Sequence, residues 1–340
     1  MSAVMDRDGL KAWLGRLIEG RRVIAPAVED GILLFQVVSR AEDVVLEGKA
    51  AISPKSWVHP QTEVLFRVNK KNGAAALEVD EPQEQVIFGL HPCDARGIRH
   101  IDKVMLQAPE DGNYARRRAK TALVGLACKE AAPECFCTSL GCGPDDASDV
   151  DVMLIPAGDA FIVEAKTEKG KALAALAPTR ESAATPTVAK VPAFATKDLA
   201  AAMKAAFDGK YWANVADRCI HCSICTYVCA DCYCFDVRDS NAGGCSERLR
   251  CWDSCQSYGF TRIAGGYERR ATKGERMRQR FGHKLLYYLE QFGEPLCTGC
   301  GRCVTACPVN IDIREIIQDV LKMHAQSSQA GVQSVTTRAS

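Results

Sequence analysis

Residues 297–308 read CTGCGRCVTACP, and no other segment restricts the fold so tightly. The spacing C-x2-C-x2-C-x3-C-P wraps three thiolates around one face of a 4Fe-4S cubane and starts a helix at the fourth, Cys307. Gly299 and Gly301 leave room for backbone amides to approach the sulfurs. An upstream copy, CIHCSICTYVC, supplies Cys219, Cys222, Cys225 and Cys229, with Ala230 where the pattern has Pro. In two-cluster chains the fourth cysteine of each run ligates the other cluster. Crossed ligand sets are therefore expected: Cys219, Cys222, Cys225 and Cys307 on one cluster, and Cys297, Cys300, Cys303 and Cys229 on the other. Structural zinc pairs two close ligands with two distant ones. A triple run ending before Pro does not match it.

The chain has 340 residues and 18 Cys, none before Cys93 and none between Cys142 and Cys219. So many thiols in a chain too long to need disulfide staples point to metal in a reducing compartment. The length suits two domains. Lys and Arg number 43 against 42 Asp and Glu, a balance that argues against nucleic-acid binding. No apolar run is long enough to span a bilayer, so no membrane insertion is expected. The first 22 residues read as an amphipathic helix rather than a secretory signal, so the expected location is cytoplasmic.

Short branched runs at 32–38, 63–68, 85–90 and 121–126 read as strands, and residues 94–106 as a helix with one buried face. An Ala-rich, Pro-punctuated stretch over 172–206 reads as a boundary running into a helix near 197–207. The expected class is mixed α+β: an α/β domain over 1–190, a helix-rich two-cluster domain over 196–325, and a disordered tail over 326–340. The 67 residues of 230–296 form an insert holding Cys232, Cys234, Cys245, Cys251 and Cys255. Within it, ten Lys or Arg face four Asp or Glu across 246–284. That stretch reads as a solvated, partly helical hairpin, or as cations that offset cluster charge or dock a partner. The five thiols read as buried apolar side chains, with a fourth cluster as the alternative.

In the first domain Cys93 follows QVIFGL and Cys128 follows TALVGL. Both therefore fall at the C-terminal ends of expected neighbouring strands, where open α/β sheets bind ligands. With Cys135 and Cys137 from the next loop, they make four thiolates for a third 4Fe-4S cluster, leaving Cys142 spare. His91, His100 and His221 read as capping or supporting residues. There is no G-x-G-x-x-G after a strand and no G-x4-G-K-[ST], so no dinucleotide or triphosphate site is expected.

The segments HPCDARGIRHIDKVM, ECFCTSLG, CSICTYVCADCYC, RCWDSC and CTGCGRCVTACPVNIDI together resemble one iron–sulfur subunit family. It includes the beta subunit of cytoplasmic nickel–iron sulfhydrogenases and an iron–sulfur subunit of anaerobic sulfite reductase. The resemblance covers roughly residues 50–325. It implies a non-catalytic electron-transfer subunit working between a flavoprotein that binds FAD and NAD(P)H and a catalytic redox subunit of hydrogenase, sulfite reductase or heterodisulfide reductase type. The alternative reading is an enzyme that uses Cys232, Cys234 or Cys255 on a disulfide or sulfur substrate.

Overall fold

The computed structural model describes residues 1–71, 74–242 and 245–336. Its strands are β1 (Ser2–Asp6), β2 (Arg22–Glu29), β3 (Ile32–Val37), β4 (Thr62–Lys71), β5 (Ala74–Glu78) and β6 (Gln85–Leu90). They continue with β7 (Thr121–Leu126), β8 (Val152–Ala157), β9 (Ala160–Ala165), β10 (Arg180–Ser182), β11 (Phe235–Ala242) and β12 (Cys245–Trp252). The mixed α+β class is as expected, and all four runs read as strands are strands.

Eight strands form one sheet in the order β10-β1-β9-β8-β7-β6-β2-β3. Its centre, β2, β6, β7 and β8, is parallel and its flanks are antiparallel. Every residue of β6 and β7 is buried, which is why both read as unbroken apolar runs rather than alternating ones. Alternate side chains feed two cores. Val86, Phe88 and Val124 pack with Trp13, Leu14 and Leu17 of the helix Arg7–Gly20. Ile87 and Leu123 pack with Ile98, Ile101 and Met105 of the helix Pro92–Met105. That helix starts on Pro92, whose fixed φ and missing N–H suit the first helical position.

A second sheet has the order β11-β12-β4-β5. Here the helix-rich reading of 196–325, with a partly helical hairpin over 246–284, misses two strands. The insert carries an eight-register antiparallel hairpin whose β12 pairs with β4, some 180 residues upstream. The two insert strands, FDVRDSNA and CSERLRCW, are rich in charged and polar residues, and much of β11 is exposed. A helical or loop reading of so polar a run overlooks the partner strand that defines it. The Gly243–Gly244 dipeptide between two runs of equal length was the available hairpin signal.

Helices Leu199–Ala205, Tyr211–Asp217, Lys273–Gly282 and Ile313–Thr336 enclose a third core around Trp212, Met277, Phe281, Leu285 and Ile317. Phe136 and Leu140, from the cysteine loop after β7, belong to this core too. The helix Lys273–Gly282 opens on a full capping box, Thr272 with Glu275, and passes through a π turn at His283–Tyr287. The last helix runs to Thr336, so residues 326–336 are helical rather than the expected disordered tail. Ser327 and Ser328 satisfy their hydroxyls on the carbonyls of Met323 and His324 and so fit an exposed helix. Residues 337–340 of that expected tail lie outside the described residues. No helix among the described residues is long and apolar enough to cross a membrane.

Candidate metal centres

Strands β6 and β7 lie side by side and parallel, so their C-terminal ends deliver Cys93 and Cys128 to the same edge of the sheet. The loop after β7 brings Cys135 and Cys137 back to that edge, and all four cysteines line one cavity of about 370 Å³. Cys142 is not among its lining residues; its thiol turns to the Gly143 carbonyl. Burial raises the Cys128 thiol to about 12, with Cys137 and Cys135 adding to the effect. His91 braces the site, with Nδ1 3.4 Å from the Cys128 thiol and Nε2 3.2 Å from the Gly48 carbonyl.

The two C-terminal runs interleave. Cys219, Cys222 and Cys225 line a second, smaller cavity together with Cys307, the last cysteine of the other run. Cys229 stands instead beside Cys297, Cys300 and Cys303. Burial pushes those three thiols upward, Cys303 to about 11, and Cys229 contributes to each shift. The first crossed set therefore lines one cavity, and the charge of Cys229 bears on the three thiols of the other. Backbone amides reach the sulfurs: His221 N–H donates to Cys219 at 3.4 Å, Asp231 N–H to Cys229 at 3.4 Å, and Ile311 N–H to Cys307 at 3.2 Å.

The N-terminal set is pressed against the middle run. Phe136 N–H donates to the Gly299 carbonyl at 2.9 Å. A Cβ on Gly299 would stand 2.6 Å from the Cys137 backbone, and one on Gly301 2.6 Å from the Glu134 carbonyl. Both glycines also have positive φ, so close approach and conformation alike require them. Arg302, from the same run, holds Asp94 of the helix Pro92–Met105 with two hydrogen bonds of 2.6 and 3.0 Å, both side chains buried. As a result Cys300 lines the first cavity and Cys303 the second.

The basic stretch of the insert is only partly solvated. Arg276, Arg280 and Lys284, four residues apart, are all buried. Arg276 caps the carbonyls of Arg270 and Ala271. Arg280 binds the Cys225 carbonyl at 2.8 Å and stands 3.9 Å from the Cys232 thiol. Lys284, in the π turn, donates to the Cys229 thiol at 3.2 Å and the Leu296 carbonyl at 2.9 Å. Lys55 enters from the first domain, donating to the Cys232 carbonyl at 2.6 Å with its ammonium 4.2 Å from the centre of the Trp252 ring. The period of four was visible in the sequence, but nothing there distinguished a buried basic stripe from a solvated one.

These cations test whether the thiol sets suit a cluster. Among the described residues, Lys55 and Arg280 form no carboxylate ion pair, and the carboxylate paired with Lys284 is Asp231 at 4.0 Å. Buried charge requires an opposite charge nearby. A thiolate-ligated metal–sulfur core, net negative, is a counter-ion these residues fit. No group of three His, Cys, Asp or Glu side chains among the described residues is arranged for a single metal ion.

The other insert thiols divide into two kinds. Cys245 and Cys251 lie on β12, pairing with Ala242 and Asp236 of β11. A hydrogen bond with Cys229, aided by Lys284, Arg280 and Lys55, pulls the Cys232 thiol down to about 6 against burial. One with Cys234, aided by Arg280, does the same for Cys255, which is buried. His100 is bound to Asp231 at 2.7 Å, a supporting role.

A family model described as a 4Fe-4S dicluster domain matches residues 218–311. Subunit beta of sulfhydrogenase 2 from Pyrococcus furiosus is 30% identical over 331 residues, which cover 91% of this chain and 95% of that protein. No solved structure matches the chain. With that identity running along nearly the whole length, and the dicluster match lying over the interleaved cysteine runs, the chain belongs to the family of iron–sulfur sulfhydrogenase beta subunits.

Proposed function

We propose that this chain is an electron-transfer subunit with three 4Fe-4S clusters, working between a flavoprotein that binds FAD and NAD(P)H and a catalytic redox subunit. The relative's name, a sulfhydrogenase beta subunit, supports a hydrogenase-type catalytic partner within a multi-subunit complex. The observation that carries the reading is the continuity of the three thiol sets, with Cys300 on the wall of one cavity and Cys303 on the wall of the other. In this reading Cys297, Cys300, Cys303 and Cys229 form the middle of a line. Cys93, Cys128, Cys135 and Cys137 stand at one end, and Cys219, Cys222, Cys225 and Cys307 at the other.

A bound 4Fe-4S cluster supplies one-electron redox chemistry. The residues of the chain do the rest. Twelve cysteines hold the metal, the N–H groups of His221, Asp231 and Ile311 bond to sulfur, and Lys284 and Arg280 supply fixed positive charge. Such hydrogen bonds and charges are a protein's levers on potential. At the outer end Cys222 is exposed, beside exposed Ile220 and Ile224. That apolar rim suits a partner subunit.

Anaerobic iron and acid-labile sulfide analysis tests the reading: about twelve of each per chain are expected, and about eight would remove the N-terminal cluster. Zinc without sulfide would overturn it altogether. Identification of co-purifying subunits tests the partners. The depressed Cys232 and Cys255 thiols favour a second reading, thiol chemistry on a disulfide or sulfur substrate. Burial of Cys255 weighs against it. Loss of turnover in Cys255→Ser at full iron content would support it.

A further inference from the structure

Lys49 lies far from either cysteine run in sequence and belongs to none of the motifs. Its ammonium donates to the Cys300 carbonyl at 2.6 Å and stands 3.5 Å from the Cys135 thiol. One atom therefore bonds a member of the N-terminal thiol set and a member of the middle set. Lys49 forms no ion pair with a carboxylate among the described residues, and it lines the cavity that holds the four N-terminal thiols. Its placement is built in. Gly48 turns the chain with φ +88°, and its carbonyl lies 3.2 Å from His91 Nε2. On its other side Lys49 is followed by Ala50, whose carbonyl accepts from the buried Arg302.

We propose that Lys49 is a positioning residue that raises the reduction potential of the N-terminal site. The inference rests on the three-cluster reading. Adding one electron to a thiolate-ligated site adds one negative charge and moves no proton of Lys49. A half-buried ammonium 3.5 Å from a ligand sulfur stabilises the reduced form more than the oxidised one. The Cys300 carbonyl bond anchors the ammonium, so it cannot swing away into solvent as a surface lysine does.

Anaerobic redox titration of the purified full-length holoprotein, followed by electron paramagnetic resonance, tests this. In Lys49→Met one component should titrate at lower potential by at least a tenfold change in the reduced-to-oxidised ratio, about 59 mV for one electron. Iron content should be unchanged, and Lys49→Arg should restore the wild-type value. Unshifted potentials in Lys49→Met at full iron content overturn the assignment, and so does an equal shift in Lys49→Arg. Iron loss in both variants marks Lys49 as structural and also overturns it. Wild-type protein with about eight irons overturns the three-cluster reading itself, an outcome distinguishable from all of these.

Discussion

At the scale of single residues, what holds the N-terminal set against the middle one is a bidentate contact between Arg302 and Asp94. The two are 208 positions apart, at 2.6 and 3.0 Å, with side chains 2% and 0% exposed. Asp94→Asn leaves the Arg302 guanidinium buried without its counter-charge, at a cost of about 3–5 kcal/mol. Denaturant unfolding of the holoprotein should show that loss, and a change below about 1 kcal/mol would mean that water reaches Arg302. The twelve candidate ligands were legible in the sequence because cluster geometry dictates their local spacing, and because strand ends are where loops can converge. Asp94 and Arg302 were not, since each looks like an ordinary helix charge until the other is beside it. The same logic predicts opposite outcomes for two neighbouring cysteines. Cys128→Ala should remove about four irons, whereas Cys142→Ala, whose thiol turns to the Gly143 carbonyl and away from the four-thiol cavity, should keep them all.

Among elements, the insert hairpin depends on a buried charge knot. Arg250 of β12 binds Glu63 of β4 through Nε at 3.0 Å, and Arg117 binds the other oxygen of the same carboxylate at 2.5 Å. Asp111 also takes a bond from Arg250. Glu63→Gln removes the charge that both guanidinium groups share, so β11 and β12 should loosen by about 3–5 kcal/mol. Hydrogen–deuterium exchange should show faster exchange across Phe235–Trp252 with the eight-stranded sheet unchanged. Equal protection in wild type and variant would mean that the ladder alone holds the hairpin. On the helical side, the capping box at Thr272 has a smaller effect. Thr272→Ala should cost about 1 kcal/mol, seen as earlier fraying of the helix that carries Arg280 and Lys284. In the sequence that helix was covered only by the partly helical reading of 246–284, which named neither its cap nor its bounds. The sheet partner of the hairpin was hidden because β4 comes from the other half of the chain.

For the whole molecule, the three cores differ in what they are made of. The two cores on the faces of the large sheet are built from aliphatic and aromatic side chains, with no candidate ligand among their members. The helical core has Cys297 as a buried member, with Cys219 and Cys303 packed against it. Arg280 and Lys284 are buried beside Cys225 and Cys229, and Lys55 beside Cys232. Metal–sulfur binding should therefore be part of the folding free energy of the helical half, while the sheet half stands largely on apolar burial. Stripping the clusters anaerobically with a chelator should leave Arg280 and Lys284 buried without the net negative core that they face, a costly arrangement. Exchange protection should then collapse across residues 219–229, 273–292 and 297–307. It should persist across β6, β7 and the helix Arg7–Gly20, whose contacts do not involve the thiols. Uniform collapse of both halves would mean that Arg302, Asp94 and the Gly299 contact bind them into one cooperative unit. Protection surviving everywhere would mean that the thiols pack as plain apolar side chains and that the buried cations have another counter-charge.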